Sequence, residues 1–194
     1  MIGLQGWYPI VASLGAVGVL LLVYTSLYNR LVTARNVVDA AWRQVDVQLL
    51  RRHDLVPNLV DVVKGYAAHE RQTLEAVTRA RAEAMQGRTA HDLPATTRAE
   101  DVLGPALAQV RALSEAYPAL KADTQFIRLM GELSDTENRV ASARRGYNEA
   151  VLAFNESIAR VPGNFIAAWA HMTPRTYWAL EDDAAARQAP RVAF

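Results

Sequence analysis

Residues 1–29 contain no charged side chain, and Arg30 is the first. Within that stretch, Pro9 to Leu27 (PIVASLGAVGVLLLVYTSL) is almost wholly apolar. As a helix, nineteen residues at about 1.5 Å each reach roughly 28 Å, close to the thickness of a bilayer's hydrocarbon core. Trp7 and Tyr8 before the stretch, and Tyr24 and Tyr28 at its end, are placed as interfacial aromatics. A cleaved signal peptide would carry a basic n-region and small residues before the cut. Here the n-region offers only the α-amino group, and Tyr24-Thr25-Ser26-Leu27 makes a poor exit. An uncleaved membrane anchor is therefore expected, in preference to a buried core helix.

The flanks predict an orientation. Arg30, Arg35, Arg43, Arg51 and Arg52 follow the span, and no lysine or arginine precedes it. The positive-inside rule then places the amino terminus outside and the large domain in the cytoplasm, the alternative being a periplasmic or extracellular domain.

After the span the chain reads as all-α. Leu31, Val38 and Val45 fall seven apart, as do Trp42, Leu49, Val56 and Val63, with polar faces between the two series. No segment alternates as a strand would. GRTAHDLPATT (87–97) reads as a loop, a shorter helix follows from about Arg98 to Ala116, and YPALKA (117–122) breaks it. Asp123 then offers an N-cap. Beyond it, Phe126, Met130, Leu133, Glu137, Val140, Arg144, Tyr147, Val151, Phe154, Ile158 and Val161 alternate spacings of four and three, predicting one long helix that Pro162-Gly163 stops. Glu137 and Arg144 are the polar members of that seam. They read either as long side chains snorkelling at its edge or as a register device opposite Arg35, Arg52 or Glu70.

The run RRHDLVPNLV (51–60) looks at first like a site. Arg51, Arg52 and His53 also suit a helix C-terminus, Asp54 suits an N-cap, and Pro57 is tolerated in a first turn but not in an interior. One straight helix from Arg30 to Met85 would span about 84 Å, more than the roughly 60 Å of the last long helix could cover. A tight corner near residues 51–55 is therefore preferred, giving four bundle helices. The preserved heptad phase argues for the alternative, three helices with the first long and kinked at Pro57. Under the corner reading Asp54 caps a helix and His53 is dispensable.

Several chemistries find no support. The net charge is +1, so nothing builds the basic face that nucleic acid requires. The absence of cysteine excludes disulfides, zinc-thiolate sites, thiol nucleophiles and an acylated lipoprotein cysteine. His53, His69, His91 and His171 are scattered, and none has a second ligand type one helical turn away. No Ser-His-Asp context, phosphate-cradling loop or paired catalytic carboxylates occur. Neither catalytic, cofactor-binding nor metal-binding residues are assigned, and no enzyme activity is expected.

At this point the residues carry a resemblance. YNRLVTARNVVDAAWRQVDVQLLRRHDLVPNLVDVVKGYAAHERQTLEAVTRAR (28–81) resembles the first half of the LemA family, and YPALKADTQFIRLMGELSDTENRVASARRGYNEAVLAFNESIARVPGN (117–164) its second half. The TEN motif (136–138), ARRGYN (143–148) and the following FN and PGN elements are the specific parts. The resemblance implies a single-pass bacterial membrane protein, in the cytoplasmic membrane, whose soluble part is an up-and-down antiparallel bundle. It implies no reaction. Some relatives are associated with building magnetosome membranes, which suggests scaffolding. The resemblance thins after Ile166.

The expected organisation is an anchor at 1–29 (span about 9–27), a bundle at 30–164 and an aromatic tail at 165–194. Asn148 and Asn155 stand seven apart beside Tyr147 and Phe154, as do Asn29 and Asn36 near the first seam. Such amides can bond a neighbouring helix's backbone or each other and fix the stagger between helices, and Asn29 and Asn36 read equally as plain surface amides. In the tail, FIAAWAHMTPRTYWAL (165–180) needs an apolar cover: the end of its own bundle, a neighbouring subunit or the headgroup region. Only His171 and Arg175 could form a basic face and Pro174 interrupts a helix, so protein contact is preferred, and a neighbouring subunit over the parent bundle because the resemblance fades where the fold alone should be satisfied. The leading function is a scaffold that binds the bilayer through its first helix and acts as a homo-oligomer or by binding membrane or envelope proteins. A regulatory adaptor for one soluble partner is the alternative, and an unrecognised hydrolase or metal-binding domain the third.

Overall fold

The computed structural model describes residues 7–90 and 92–178. Its regular elements are all helices: α1 (Tyr8–Tyr66), α2 (Arg71–Thr89), α3 (Leu93–Ala116), α4 (Pro118–Lys121), α5 (Thr124–Ala159) and α6 (Gly163–Trp169). No strand occurs among the described residues. The chain divides into two compact units, one of Met1–Ala40 with Glu149–Arg175, the other of Ala41–Asn148 with Thr176–Phe194.

In the second unit the contacting pairs give the helix directions. Asp46 meets Arg88 and His53 meets Arg81, so a step forward on α1 is an equal step back on α2. Trp42 meets Tyr147 and Tyr66 meets Asp123, which sets α5 antiparallel to α1 in the same way. α3 turns back along α2 after a short connection, with Gly87 of α2 against Thr96 of α3, and its Glu100 meets His53, so α3 runs antiparallel to α2 and parallel to α1. This is an up-down-up-down four-helix bundle. Leu49, Val56 and Val63 of α1, Leu74 and Val77 of α2, Leu103 and Leu107 of α3, and Phe126 and Leu133 of α5 are buried there, as seams of spacing four and three require.

The expected corner at residues 51–55 is not present. α1 continues through it, with Pro57 inside the helix, and the chain turns at residues 67–70. A proline in a helix interior leaves the carbonyl four residues earlier without its amide donor. Here that carbonyl belongs to His53, and the Arg81 Nε of α2 donates to it at 2.7 Å. A side chain of the neighbouring helix thus replaces the missing backbone bond. Asp54 is mid-helical and exposed, so it caps nothing.

The expected loop at 87–97 is also mostly helix, because its residues terminate and start helices rather than fill a gap. Gly87 lies within α2, where a Cβ would meet the Thr96 backbone nitrogen at 3.0 Å. The glycine lets two helices approach; it does not break one. Asp92 caps α3 by accepting from the Ala95 amide at 3.1 Å, with Pro94 in the first turn and the Thr96 and Thr97 hydroxyls bonded back to the carbonyls of Asp92 and Leu93. Asp123 caps α5 as expected, its carboxylate accepting from the Phe126 amide at 2.8 Å. α5 then runs unbroken to Ala159.

In the first unit Leu31 and Val38 of α1, Phe154 and Ile158 of α5, and Ile166 of α6 are buried. Gly163 opens α6 beneath the Ser157 carbonyl, a space that any side chain would fill. The apolar stretch of α1 has the opposite environment. Ile10, Leu14, Leu20 and Leu22 are all more than half exposed, and α1 is the one helix among the described residues long and apolar enough to cross a membrane.

One aromatic of the tail finds its cover within its own unit. Trp178 is 1% exposed, set against Trp42 with ring centroids 5.9 Å apart and covered by the Arg144 guanidinium at 4.4 Å. Asn148 accepts from the Trp178 amide at 2.8 Å and donates to its carbonyl at 3.1 Å. Asn155 does the same for Arg175, at 2.8 and 2.9 Å. The two amides therefore clamp an extended segment rather than another helix. Their spacing suits it, since seven residues of helix rise about as far as three of extended chain. Residues 179–194 lie outside the described residues.

Candidate functional site

The RRHD run leads to the most unusual chemistry in the second unit. His53 Nε2 and Glu100 Oε1 are 2.6 Å apart, and neither side chain has accessible surface. Arg52 Nη1 lies 3.3 Å from Glu100 Oε2, an ion pair that lacks hydrogen-bond alignment. Arg81 reaches the His53 carbonyl from α2. From α5, Arg144 feels Glu100 and Asp101 as attractive charges and Arg52 as a repulsive one. Each of the four bundle helices therefore places a charged residue at or beside one buried junction.

Every bundle seam has a polar member here. On α3 the buried positions Thr96, Glu100, Leu103, Leu107, Val110 and Ser114 alternate spacings of four and three. Glu100 occupies a core position on that register. Arg52 does so on α1, seven residues after Val45 and seven before Leu59. Arg52 is visible in the sequence as a charge standing in an apolar series. The register that includes Glu100 begins at Thr96, inside the segment whose composition predicts a loop, so its core position shows only in the fold.

The energetics of such a junction depend on completeness. Desolvating ions costs several kcal/mol each, and pairing in a sealed interior repays this only with good geometry. The junction is only partly satisfied: Arg52 Nε and His53 Nδ1 are buried without hydrogen-bond partners. Burial pulls the Arg144 guanidinium below the usual arginine range, Glu100 and Asp101 opposing that shift and Arg52 reinforcing it. The flat face of Trp178 supplies Arg144 with a partner that costs no further charge. Arg144 is thus stacked on Trp178 rather than free at the seam's edge or ion-paired with Glu70. The Glu70 carboxylate instead accepts from the Tyr117 hydroxyl at 3.0 Å.

A histidine held by a carboxylate orients a general base in many hydrolases, but there it faces a nucleophile and a substrate. Here the pair is sealed between α1 and α3 with no accessible surface. The other histidines do not join it. His69 and His171 are exposed and His91 lies outside the described residues. Among the described residues no group of three or more His, Cys, Asp or Glu is placed to hold a metal ion.

Comparison with known proteins accords with the helical reading. The LemA family model matches residues 41–194. Magnetosome protein MamQ 2 of Paramagnetospirillum magneticum is 26% identical over 163 residues, covering 72% of this chain and 60% of its own length. Magnetosome protein MamQ of Magnetospirillum gryphiswaldense is 25% identical over the same share of each chain. Protein LemA of Metamycoplasma hominis is 24% identical over 166 residues, 85% of this chain and 74% of its own. The chain thus spans about three fifths of the length of the magnetosome relatives. With a family match over residues 41–194, on a helical bundle whose last long helix carries the TEN and ARRGYN motifs, this chain belongs to the LemA family.

Proposed function

We propose that this protein is a non-enzymatic scaffold of the bacterial cytoplasmic membrane, anchored by the apolar part of α1 and acting by self-association or by binding membrane or envelope proteins. The observation that carries the proposal is the composition of α1. One helix holds an exposed apolar stretch at residues 10–23 and supplies a wall of a bundle whose polar junction is sealed. A lipid-seeking surface and a closed interior leave the outer faces of the helices as the place where function is exercised. The magnetosome names of two relatives favour work at a membrane. The arginines that follow the apolar stretch, from Arg30 to Arg52, favour a cytoplasmic bundle.

Sizing of the full-length protein in mild detergent tests the reading. A discrete homo-oligomer is the expected result. A monomer that co-purifies with one soluble protein would replace the scaffold with an adaptor. Sidedness is tested separately with a cysteine placed at Gln86, an unambiguous probe because the chain has no other. It should resist an impermeant thiol reagent in intact cells and react after lysis.

A further inference from the structure

The first unit contains a second apolar surface that the bundle does not use. Val161, Phe165 and Trp169 are 74%, 70% and 72% exposed. Phe165 and Trp169 stand one turn apart on the same side of α6, and Val161 lies in the turn that leads into it. The protein leaves most of the surface of these three large apolar side chains uncovered. An isolated exposed residue needs no explanation, but a contiguous patch does.

The position of the patch along α1 says what covers it. Trp169 packs edge-on against Tyr24, with ring centroids 5.8 Å apart at an interplanar angle of 82°. Tyr24 belongs to the last turn of the apolar stretch and stacks on Tyr28. At the other end of the patch, Val161 shares a cleft with Leu27, Arg30 and Arg160. Leu27 ends the apolar stretch and Arg30 is the chain's first charge. Both ends of the patch therefore lie at the level where α1 changes from apolar to charged. Tryptophan and tyrosine favour that level of a bilayer, since their rings are apolar and their N–H and O–H groups still reach water or headgroups. Arginine at the same level places its guanidinium among lipid phosphates while its stem stays in apolar surroundings.

We infer that Val161, Phe165 and Trp169 form an interfacial lipid-contacting foot, inserted at the headgroup–acyl boundary beside α1. The inference rests on the reading of α1 as a membrane anchor. It separates two parts of the aromatic tail: Trp178 seals the bundle, whereas Phe165 and Trp169 meet lipid. A basic face of its own is not required for this foot, because α1 supplies the attachment and the foot adds contact. The bilayer is favoured over a second copy of the chain because the patch continues the surface that the apolar stretch already presents.

The absence of cysteine allows a direct test in the full-length protein reconstituted in phosphatidylcholine–phosphatidylglycerol vesicles. An environment-sensitive fluorophore is attached to Phe165→Cys, to Leu14→Cys within the apolar stretch, and to Ile127→Cys, an exposed apolar position on α5. The label at 165 should show blue-shifted emission and lose intensity to lipids carrying a nitroxide near the headgroup. The label at 14 should respond to nitroxides deeper in the chain, and the label at 127 only to aqueous iodide. A label at 165 that behaves like the one at 127 overturns the foot while leaving the anchor intact. Shielding at 165 from both lipid nitroxide and iodide overturns it in favour of protein contact. Iodide quenching at 14 as well would overturn the anchor, and the foot with it.

Discussion

Two regions of this protein reverse the usual distribution of polarity. Residues 10–23 of α1 are apolar and exposed; Arg52, His53 and Glu100 are charged or polar and buried. The first is stable only if its surroundings are apolar, because its exposed area would otherwise order water around it. The second is stable only if its members find one another, because each alone would be a desolvated charge. An apolar surface accepts any apolar neighbour, so lipid suffices. A buried charge accepts only a partner of the right chemistry at the right place. The junction consequently specifies register and direction among four helices, and the apolar stretch specifies only depth.

Breaking the junction should have the largest effect. Glu100→Ala leaves Arg52 and His53 buried without their carboxylate, and should cost about 3–5 kcal/mol in denaturant unfolding. Replacing Arg52, His53 and Glu100 together by leucine or methionine should be far milder, because no unpaired charge remains. Equal damage from both variants would mean that the junction contributes through packing rather than charge.

The apolar stretch should be less demanding, but not indifferent. Leu20→Arg, near its middle, should oppose insertion by about 2.5–3.5 kcal/mol. That shifts protein from membrane to soluble fractions on alkaline extraction without altering the melting of the bundle. A parallel loss of bundle stability would show that the two regions are not independent.

Arg81→Met tests how α1 tolerates Pro57. The stem is retained and the donor to the His53 carbonyl is lost, which should cost about 1–3 kcal/mol for a buried acceptor left alone. At the other extreme, Asp54→Ala should change stability by no more than about 0.5 kcal/mol, as expected of an exposed position without a specific partner. A capping loss at Asp54 would restore the corner that the helix replaces.

These residues show what was legible in the sequence. Periodicity identified the helices of both long seams, the N-cap at Asp123 and the stop near Pro162, because each depends on neighbours within a few residues. The path of α1 through Pro57 was not legible. It depends on Arg81, twenty-four residues away along the chain, and local rules correctly count an interior proline as a break. Gly87 misled for a related reason, since its role is close approach to Thr96 rather than flexibility. Arg52 was available as a charge on a core register, but its immediate neighbours suggested a helix end. Trp178 was expected to need an apolar cover, and only the fold shows that its own Trp42 and Arg144 provide it.

The central claim is that α1 is a single helix working in two solvents, lipid around residues 10–23 and a sealed polar junction at residues 52 and 53. Amide hydrogen exchange on the full-length protein in nanodiscs tests this most directly. Protection should extend from the apolar stretch through residues 51–56 without a gap, and it should be high at 10–23 despite the exposure of those side chains. Rapid exchange at 51–55 would reinstate a corner, and rapid exchange at 10–23 would take α1 out of the membrane; either result contradicts the account.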